Sequence, residues 1–205
     1  MEVLPQMIKH VLFTIAFFVI LSCKDSKKKE VFNTKNFTEH YVDYAKGTLL
    51  LPHNYQRVTE DKLPYLFTEN DSSSVVQLVM KRLDADRRDY ILFTNESDLN
   101  DVILIHKSEF INFSKQDGNQ FLGMYESYMN NSYGLGNYKR LQNKISQNER
   151  SKYLKIKYKI YLKGTDIYQT QYVVTSAATT FGVVEIRADE VDSEDLIKRI
   201  NYLVN

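Results

Sequence analysis

The stretch that decides the fold runs from residue 153 to residue 163 and reads YLKIKYKIYLK. Apolar and polar residues alternate along it. One set of positions holds Leu154, Ile156, Tyr158, Ile160 and Leu162, and the intervening set holds Lys155, Lys157, Lys159, Tyr161 and Lys163. Because successive side chains of a strand point to opposite faces, the pattern predicts a strand with one face in the core and the other in water.

Two further strands follow this one along the chain. Gly164-Thr165-Asp166 is a turn signal, and two more apolar stretches follow it at 167–176 and 181–187. Strands that are joined by short turns pair side by side. The segment from 153 to 187 therefore predicts an antiparallel meander.

Similar periodicities predict the elements that lie outside the meander. We expect a strand at 48–52, a mainly helical stretch at 59–88, a hairpin at 90–106, a helix at 119–129 and a closing helix. The apolar stripe of the closing helix consists of Leu196, Ile197, Ile200, Leu203 and Val204. The valines at 75, 76 and 79 keep a strand open as the alternative within 59–88, because they are β-branched. Strands in blocks with helices between them predict an α+β fold, an antiparallel meander packed against helices.

The order of these elements resembles that of the PsbP-like α+β domains. This PsbP/DcrB-like family includes the photosystem II extrinsic subunit and certain bacterial lipoproteins. The resemblance covers residues 47–205 and lies in the opening strand, the hairpin, the helix at 119–129, the meander and the final helix. It implies a PsbP-like architecture, in which the helical stretch at 59–88 is an insertion.

The N-terminal segment has the layout of a secretory signal peptide. Residues 7–23 read MIKHVLFTIAFFVILSC, with a basic head at Lys9 and His10, an apolar run and a small residue before Cys23. The apolar run is about half the roughly 20 residues that a stable transmembrane helix needs. An ordinary secretory peptide with a chance cysteine is the alternative. Met7 competes with Met1 as the start of the protein.

Residues 20–23, Ile-Leu-Ser-Cys, resemble the lipobox of bacterial lipoproteins. In that family the cysteine receives a diacylglyceryl group, the peptide is cut before it, and the new amine is acylated. The resemblance implies that Cys23 carries fatty acyl chains of the palmitate type, and two or three such chains form a stable membrane anchor. Lys24 stands where an aspartate signals inner-membrane retention, which implies the outer membrane with the domain facing the periplasm. Exposure at the cell surface stays open.

These features divide the chain into three parts. Residues 1–22 form the signal peptide, residues 23–46 the lipidated cysteine with a charged tether and lead-in, and residues 47–205 a single α+β domain. The tether from 24 to 30 contains no apolar residue, so it has nothing to bury.

Composition excludes several function classes for the mature domain. A formal net charge of +1 provides no field that would attract nucleic acid. The single cysteine is assigned to the anchor, so we expect neither a disulfide nor a thiol nucleophile. The histidines do not pair at metal-ligand spacing, and no Gly-x-Ser-x-Gly motif is present. The sequence therefore predicts no catalytic residue, metal or cofactor.

The lysine face, defined as Lys155, Lys157, Lys159, Tyr161 and Lys163, is the most concrete candidate for ligand binding. Four cations beside a tyrosine suit an anionic partner such as a lipid headgroup or an acidic glycan. A plain solvated face is the alternative, since lysine is common on the wet side of a sheet.

Three functional hypotheses follow. The favoured one is a non-enzymatic binding or assembly domain, tethered to a membrane by its lipid and contacting an envelope protein. The second is a small anionic-ligand binder that uses the lysine face. The third is an enzyme whose site is dispersed in sequence.

Overall fold

The computed structural model describes residues 34–59, 61–62, 74–85, 90–112, 114–148, 150–162, 164–176, 179–191 and 194–202. The anchor residue Cys23 and Lys163 of the lysine face lie outside the described residues. The described residues, which begin at Thr34, belong to one compact unit.

Strands make up most of the described fold. Their bounds are β1 (Phe37–Val42), β2 (Gly47–Pro52), β3 (Tyr55–Val58), β4 (Tyr90–Asn95), β5 (Asp98–Lys107), β6 (Tyr138–Gln147), β7 (Ser151–Leu162), β8 (Thr165–Ser176), β9 (Thr180–Arg187) and β10 (Asn201–Tyr202). The α-helices of the described residues are α1 (Ser74–Ala85), α2 (Lys115–Tyr133) and α3 (Glu194–Lys198).

The strands form two antiparallel sheets. The large sheet has seven strands in the order β3-β4-β5-β9-β8-β7-β6, and the small sheet has the order β1-β2-β10. The predicted meander is confirmed as β7, β8 and β9, and the predicted hairpin as β4 and β5. The predicted opening strand corresponds to β2. The stretch that we treated as a lead-in contains β1, which pairs with β2 along its whole length.

Strand β6 is the main element that the sequence analysis missed. It lies at the edge of the large sheet, and most of its residues are exposed or half-buried. A shift of register between Arg140 and Gln142 also breaks its alternation. An edge strand with charged side chains and a bulge gives little periodic signal, although these features protect the edge from pairing with other chains.

Both faces of the large sheet are covered, so the predicted wet face is wrong. The first face carries Leu154, Ile156 and Tyr158 and packs against α1 and α2. The second face carries Tyr153 and Tyr172 and packs against β1, β2 and α3. Alternation separates apolar from polar side chains, but it does not show whether another layer covers the polar set.

The predicted closing helix is also wrong in part. Helix α3 spans only Glu194–Lys198, and the chain then forms β10, which pairs with Gly47 and Thr48 of β2. Leu196, Ile197 and Ile200 are buried in the second core as the apolar stripe requires. Pairing with the edge of β2 satisfies the backbone here in place of a further helical turn.

Helix α2 is longer than predicted because its ends are well capped. The Ser114 hydroxyl accepts a hydrogen bond from the backbone N–H of Asp117, and the Asp117 carboxylate accepts one from the backbone N–H of Ser114 at 2.6 Å. This reciprocal arrangement satisfies two free donors of the first turn. The chain leaves the helix at Gly134, whose φ of +81° favours glycine.

Within the part of the chain that the structure describes, no helix combines the length and the apolarity that crossing a bilayer requires.

Candidate functional site

The lysine face is largely enclosed by the layer that covers the second sheet face. Lys155 is 1% exposed and Lys157 is 5% exposed. The Lys159 side chain is 25% exposed and Tyr161 is 40% exposed. Of the predicted site residues that the structure describes, only these last two reach solvent.

Each of the three described lysines lies beside a carboxylate of the same chain. Lys155 Nζ is 3.8 Å from Glu194 Oε2, and Lys159 Nζ is 2.6 Å from Asp166 Oδ2. Lys157 Nζ is 3.2 Å from Glu190 Oε1 and donates a hydrogen bond to the Val191 carbonyl. Burying an ammonium group is costly unless it is paired, and these carboxylates offset that cost.

Glu194 is the centre of this ionic arrangement. Its carboxylate accepts hydrogen bonds from the Tyr153 hydroxyl and from Lys144 Nζ at 3.0 Å, and it lies near Lys155 and Lys198. The hydrogen bond from Tyr153, followed by the contacts with Lys144, holds the pKa of Glu194 below its usual value of 4.5. Helix α3 places Glu194 over the sheet, so the acidic start of this helix neutralises lysines of β6 and β7.

A second ionic cluster joins β3, β5 and β9 on the same face. Arg187 Nε lies 3.1 Å from Asp101 Oδ1, and Arg187 Nη2 lies 3.8 Å from Glu185 Oε1. The Tyr55 hydroxyl donates to Asp101 and accepts a hydrogen bond from Arg187 Nη2 at 3.1 Å. Burial, together with the hydrogen bond to Asp101, raises the pKa of Tyr55.

The sequence analysis missed this second cluster. The available signal was a pair of charges, Glu185 and Arg187, at alternate positions of an otherwise apolar strand. The register places Ile103 opposite Glu185, which brings Asp101 and Arg187 close enough to pair. Arg187 faces both carboxylates, and with Tyr55 it connects β3, β5 and β9.

The most exposed apolar side chain among the described residues projects from the loop after α2. Leu135 is 84% exposed and stands between Gly134 and Gly136, which have positive φ angles of +81° and +87°. The loop is fixed because the Tyr161 N–H donates to the Asn137 carbonyl at 2.8 Å. We call Leu135, Asn137 and Tyr161 the tip.

At the tip, a leucine and a tyrosine side chain are exposed to solvent on a turn that several hydrogen bonds stabilise. The Asn137 side chain donates to the Tyr133 carbonyl at 2.7 Å, and the Gly134 N–H donates to the Asn130 carbonyl at 2.9 Å. Lys159 Nζ lies 5.4 Å from the centre of the Tyr161 ring, within the range of a cation–π contact. The sequence analysis did not single out the leucine that the two glycines present.

Among the described residues, no three histidine, cysteine, aspartate or glutamate side chains are grouped as a metal site requires.

Comparison with known proteins gives a likeness of fold. No family model and no curated protein matches the chain. The solution structure of cyanobacterial PsbP (CyanoP) from Synechocystis sp. PCC 6803 matches with a TM-score of 0.53 and 10% identity, covering 85% of this chain and 96% of that one. The crystal structure of the Saccharomyces cerevisiae Ran-binding protein Mog1p matches with a TM-score of 0.43 and 12% identity, covering 78% and 80%. The chain therefore has a sheet-rich α+β fold that resembles PsbP.

Proposed function

We propose that this protein is a lipid-anchored envelope protein whose folded domain is a non-enzymatic binding or assembly module. The lipobox-like sequence ending at Cys23 supports the anchor, and Lys24 favours the outer membrane with the domain in the periplasm. The observation that carries the binding role is the tip, where Leu135 is 84% exposed on a turn fixed by hydrogen bonds.

The tip suits a protein partner with an apolar pocket. A turn whose backbone is already fixed by hydrogen bonds loses little conformational entropy on binding. Tyrosine is enriched among the residues that dominate interface energies, and Tyr161 lies beside this loop. An envelope protein is the partner class that the anchor would make accessible.

The lysine face contributes little to this proposal. Lys155 and Lys157 are enclosed, and their charges face Glu194 and Glu190. An anionic ligand would have to compete with these internal carboxylates for both lysines. In the exposed part of the face, Tyr161 belongs to the tip, and Lys159 beside it fits better as the polar rim of the tip.

Photo-crosslinking in cells tests the binding role. A benzophenone amino acid at position 135 should give a discrete adduct with an envelope protein, and Tyr161→Ser should reduce its yield. The matched control carries the same amino acid at Asn143, an exposed position on β6. Equal adduct patterns from both positions would reject the tip as a specific contact.

Labelling with a clickable fatty acid tests the anchor separately. The wild-type protein should take up the label and fractionate with membranes, whereas Cys23→Ala should do neither. A Cys23→Ala protein of unchanged mass that remains in the membrane fraction would reject the lipid anchor.

A further inference from the structure

Three polar side chains are buried side by side on the first face of the large sheet. Tyr158 is 0% exposed, Gln169 is 1% exposed and Gln171 is 2% exposed. Tyr158 and Gln169 face each other in the register of β7 and β8, and Gln171 is the next residue of β8 on the same face. We call these three residues the polar patch; it lies in the core that α2 covers.

Most hydrogen-bonding atoms of the polar patch have no partner among the described residues. These atoms are the Tyr158 hydroxyl, Oε1 and Nε2 of Gln169, and Oε1 of Gln171. Only Gln171 Nε2 is engaged, by donating to the Tyr125 hydroxyl of α2 at 2.6 Å. Buried polar groups are nearly always satisfied in native proteins, so such a concentration at adjacent positions calls for an explanation.

The surroundings of the polar patch are aromatic, with a polar rim. The rings of Tyr138 and Tyr158 meet edge to face at 5.7 Å. The Tyr138 hydroxyl donates to Asn130 Oδ1 at 2.7 Å, and Arg140 Nη1 lies 2.7 Å from Glu126 Oε1. Flat apolar walls with a few convergent polar groups are the usual make-up of a small-molecule site. The rim joins α2 to the edge strand β6, which is where a molecule would enter.

A ligand would reach the polar patch only if part of helix α2 moved. The unpartnered atoms of the polar patch are not accessible to water, so a ligand must displace part of the helix. Gly123 lies on the exposed side of α2 with open space where a Cβ would lie, so packing does not require glycine there. A glycine inside a helix lowers its stability, so this turn of α2 is weaker than it would be with alanine.

We propose that the polar patch binds a small, planar, uncharged molecule that presents a hydrogen-bond donor next to an acceptor, as a cyclic amide or imide does. A glutamine carboxamide pairs with such an edge through two hydrogen bonds, one donated and one accepted. The Tyr158 hydroxyl supplies a third contact. A charged ligand would not fit, because neutral groups cannot offset the cost of burying an ion. This site is separate from the tip and does not depend on the lipid anchor.

The test uses full-length protein in detergent micelles with ¹⁵N-labelled glutamine side chains. Uracil and 2-pyridone are titrated as probes, and 1,3-dimethyluracil, whose donors are blocked, is the matched control. We expect saturable shifts of the Gln169 and Gln171 side-chain amide signals with at least one probe, and none with the control. The absence of a saturable response to both probes, or an equal response to 1,3-dimethyluracil, would overturn the proposal.

Three variants complete the experiment. Gln169→Leu should weaken probe binding at least tenfold and raise the midpoint of thermal unfolding, because it removes an unsatisfied buried amide. Gln147→Leu, at an exposed position of β6, should leave binding unchanged. Tyr158→Phe deletes only the hydroxyl and should also weaken binding, which keeps the test valid if Gln169→Leu fails to fold. Unchanged probe binding in both Gln169→Leu and Tyr158→Phe would overturn the proposal, because the probe would then bind elsewhere.

Discussion

The imidazole of His106 packs directly against the backbone of Gly182, its register partner on the neighbouring strand. A methyl group at Gly182 would overlap the His106 ring. His106 is 3% exposed, and its ring also contacts the Tyr90 ring at 5.4 Å. Glycine is therefore required in this central strand by the close approach of a side chain, although it lowers the intrinsic stability of a strand.

The first prediction concerns this contact. Gly182→Ala should lower the free energy of unfolding by about 2 kcal/mol, as overpacking of a filled core usually does. Denaturant unfolding monitored by circular dichroism measures the change. Gly123→Ala is the matched control, since its Cβ meets open space, and it should raise the stability by about 0.5–1 kcal/mol through helix propensity. Equal effects of the two substitutions would contradict the packing argument.

The second prediction concerns Glu194, which faces Lys155. Glu194→Gln should lower the free energy of unfolding by about 2–3 kcal/mol, because it removes a carboxylate that offsets a buried ammonium group. Asp195→Asn is the control on the same helix. The Asp195 side chain is 68% exposed, so loss of its ion pairs should cost less than about 0.5 kcal/mol. Comparable losses in both variants would show that Glu194 has no special role.

The third prediction concerns the loss of stability at low pH. The pKa of Glu194 is held below 4.5, chiefly by the hydrogen bond from Tyr153, so the folded state favours the carboxylate. This contribution to stability is complete above the unfolded pKa and is lost as the pH falls through the lower folded pKa. The stability difference between wild type and Glu194→Gln should therefore shrink as the pH falls below about 4.5. Equilibrium unfolding across this range measures it, and a constant difference would refute the assignment.

The fourth prediction separates the buried from the exposed part of the lysine face. Lys155→Glu places a second carboxylate near Glu194 at a site that is 1% exposed. This change should lower the free energy of unfolding by about 3 kcal/mol or more. Lys159→Glu places a carboxylate opposite Asp166, whose side chain is 48% exposed. This change should lower the free energy of unfolding by only about 0.5–1 kcal/mol. Thermal unfolding distinguishes the two. A variant in which Lys155, Lys157 and Lys159 are all replaced by glutamate would report mainly on folding. Only the Lys159→Glu variant is therefore suited to a binding assay.

The fifth prediction concerns the cluster around Arg187. Tyr55→Phe removes a hydroxyl that donates a hydrogen bond to Asp101 and accepts one from Arg187. This change should lower the free energy of unfolding by about 1–2 kcal/mol. Tyr41→Phe is the control, because Tyr41 is 50% exposed and its hydroxyl lies 3.5 Å from Asp43. That change should alter stability by less than about 0.5 kcal/mol. Denaturant unfolding of both variants tests whether the cluster contributes to holding the strands together.

Local patterns predicted the elements that carry strong periodicity. The alternation from 153 to 163 predicted β7, and helical periodicity predicted the body of α2. Strand β6 was not predicted, because an edge strand buries little apolar surface and the bulge in β6 breaks the alternation of apolar and polar residues. The candidate site was only half predictable, since the lysines were recognised but the carboxylates that face them were not.

The amino-acid sequence by itself determined the antiparallel meander, the α+β class and the segregation of Lys155, Lys157 and Lys159 to one side of β7, because these depend on neighbours along the chain. Only the tertiary structure decided that this side is covered, that the last residues described form a strand beside β2, and that Gln169 is buried opposite Tyr158. The physical reason is that burial depends on which distant segment packs over a surface. Glu194 and β10 come late in the chain, and no local pattern near β7 or β2 reveals their approach.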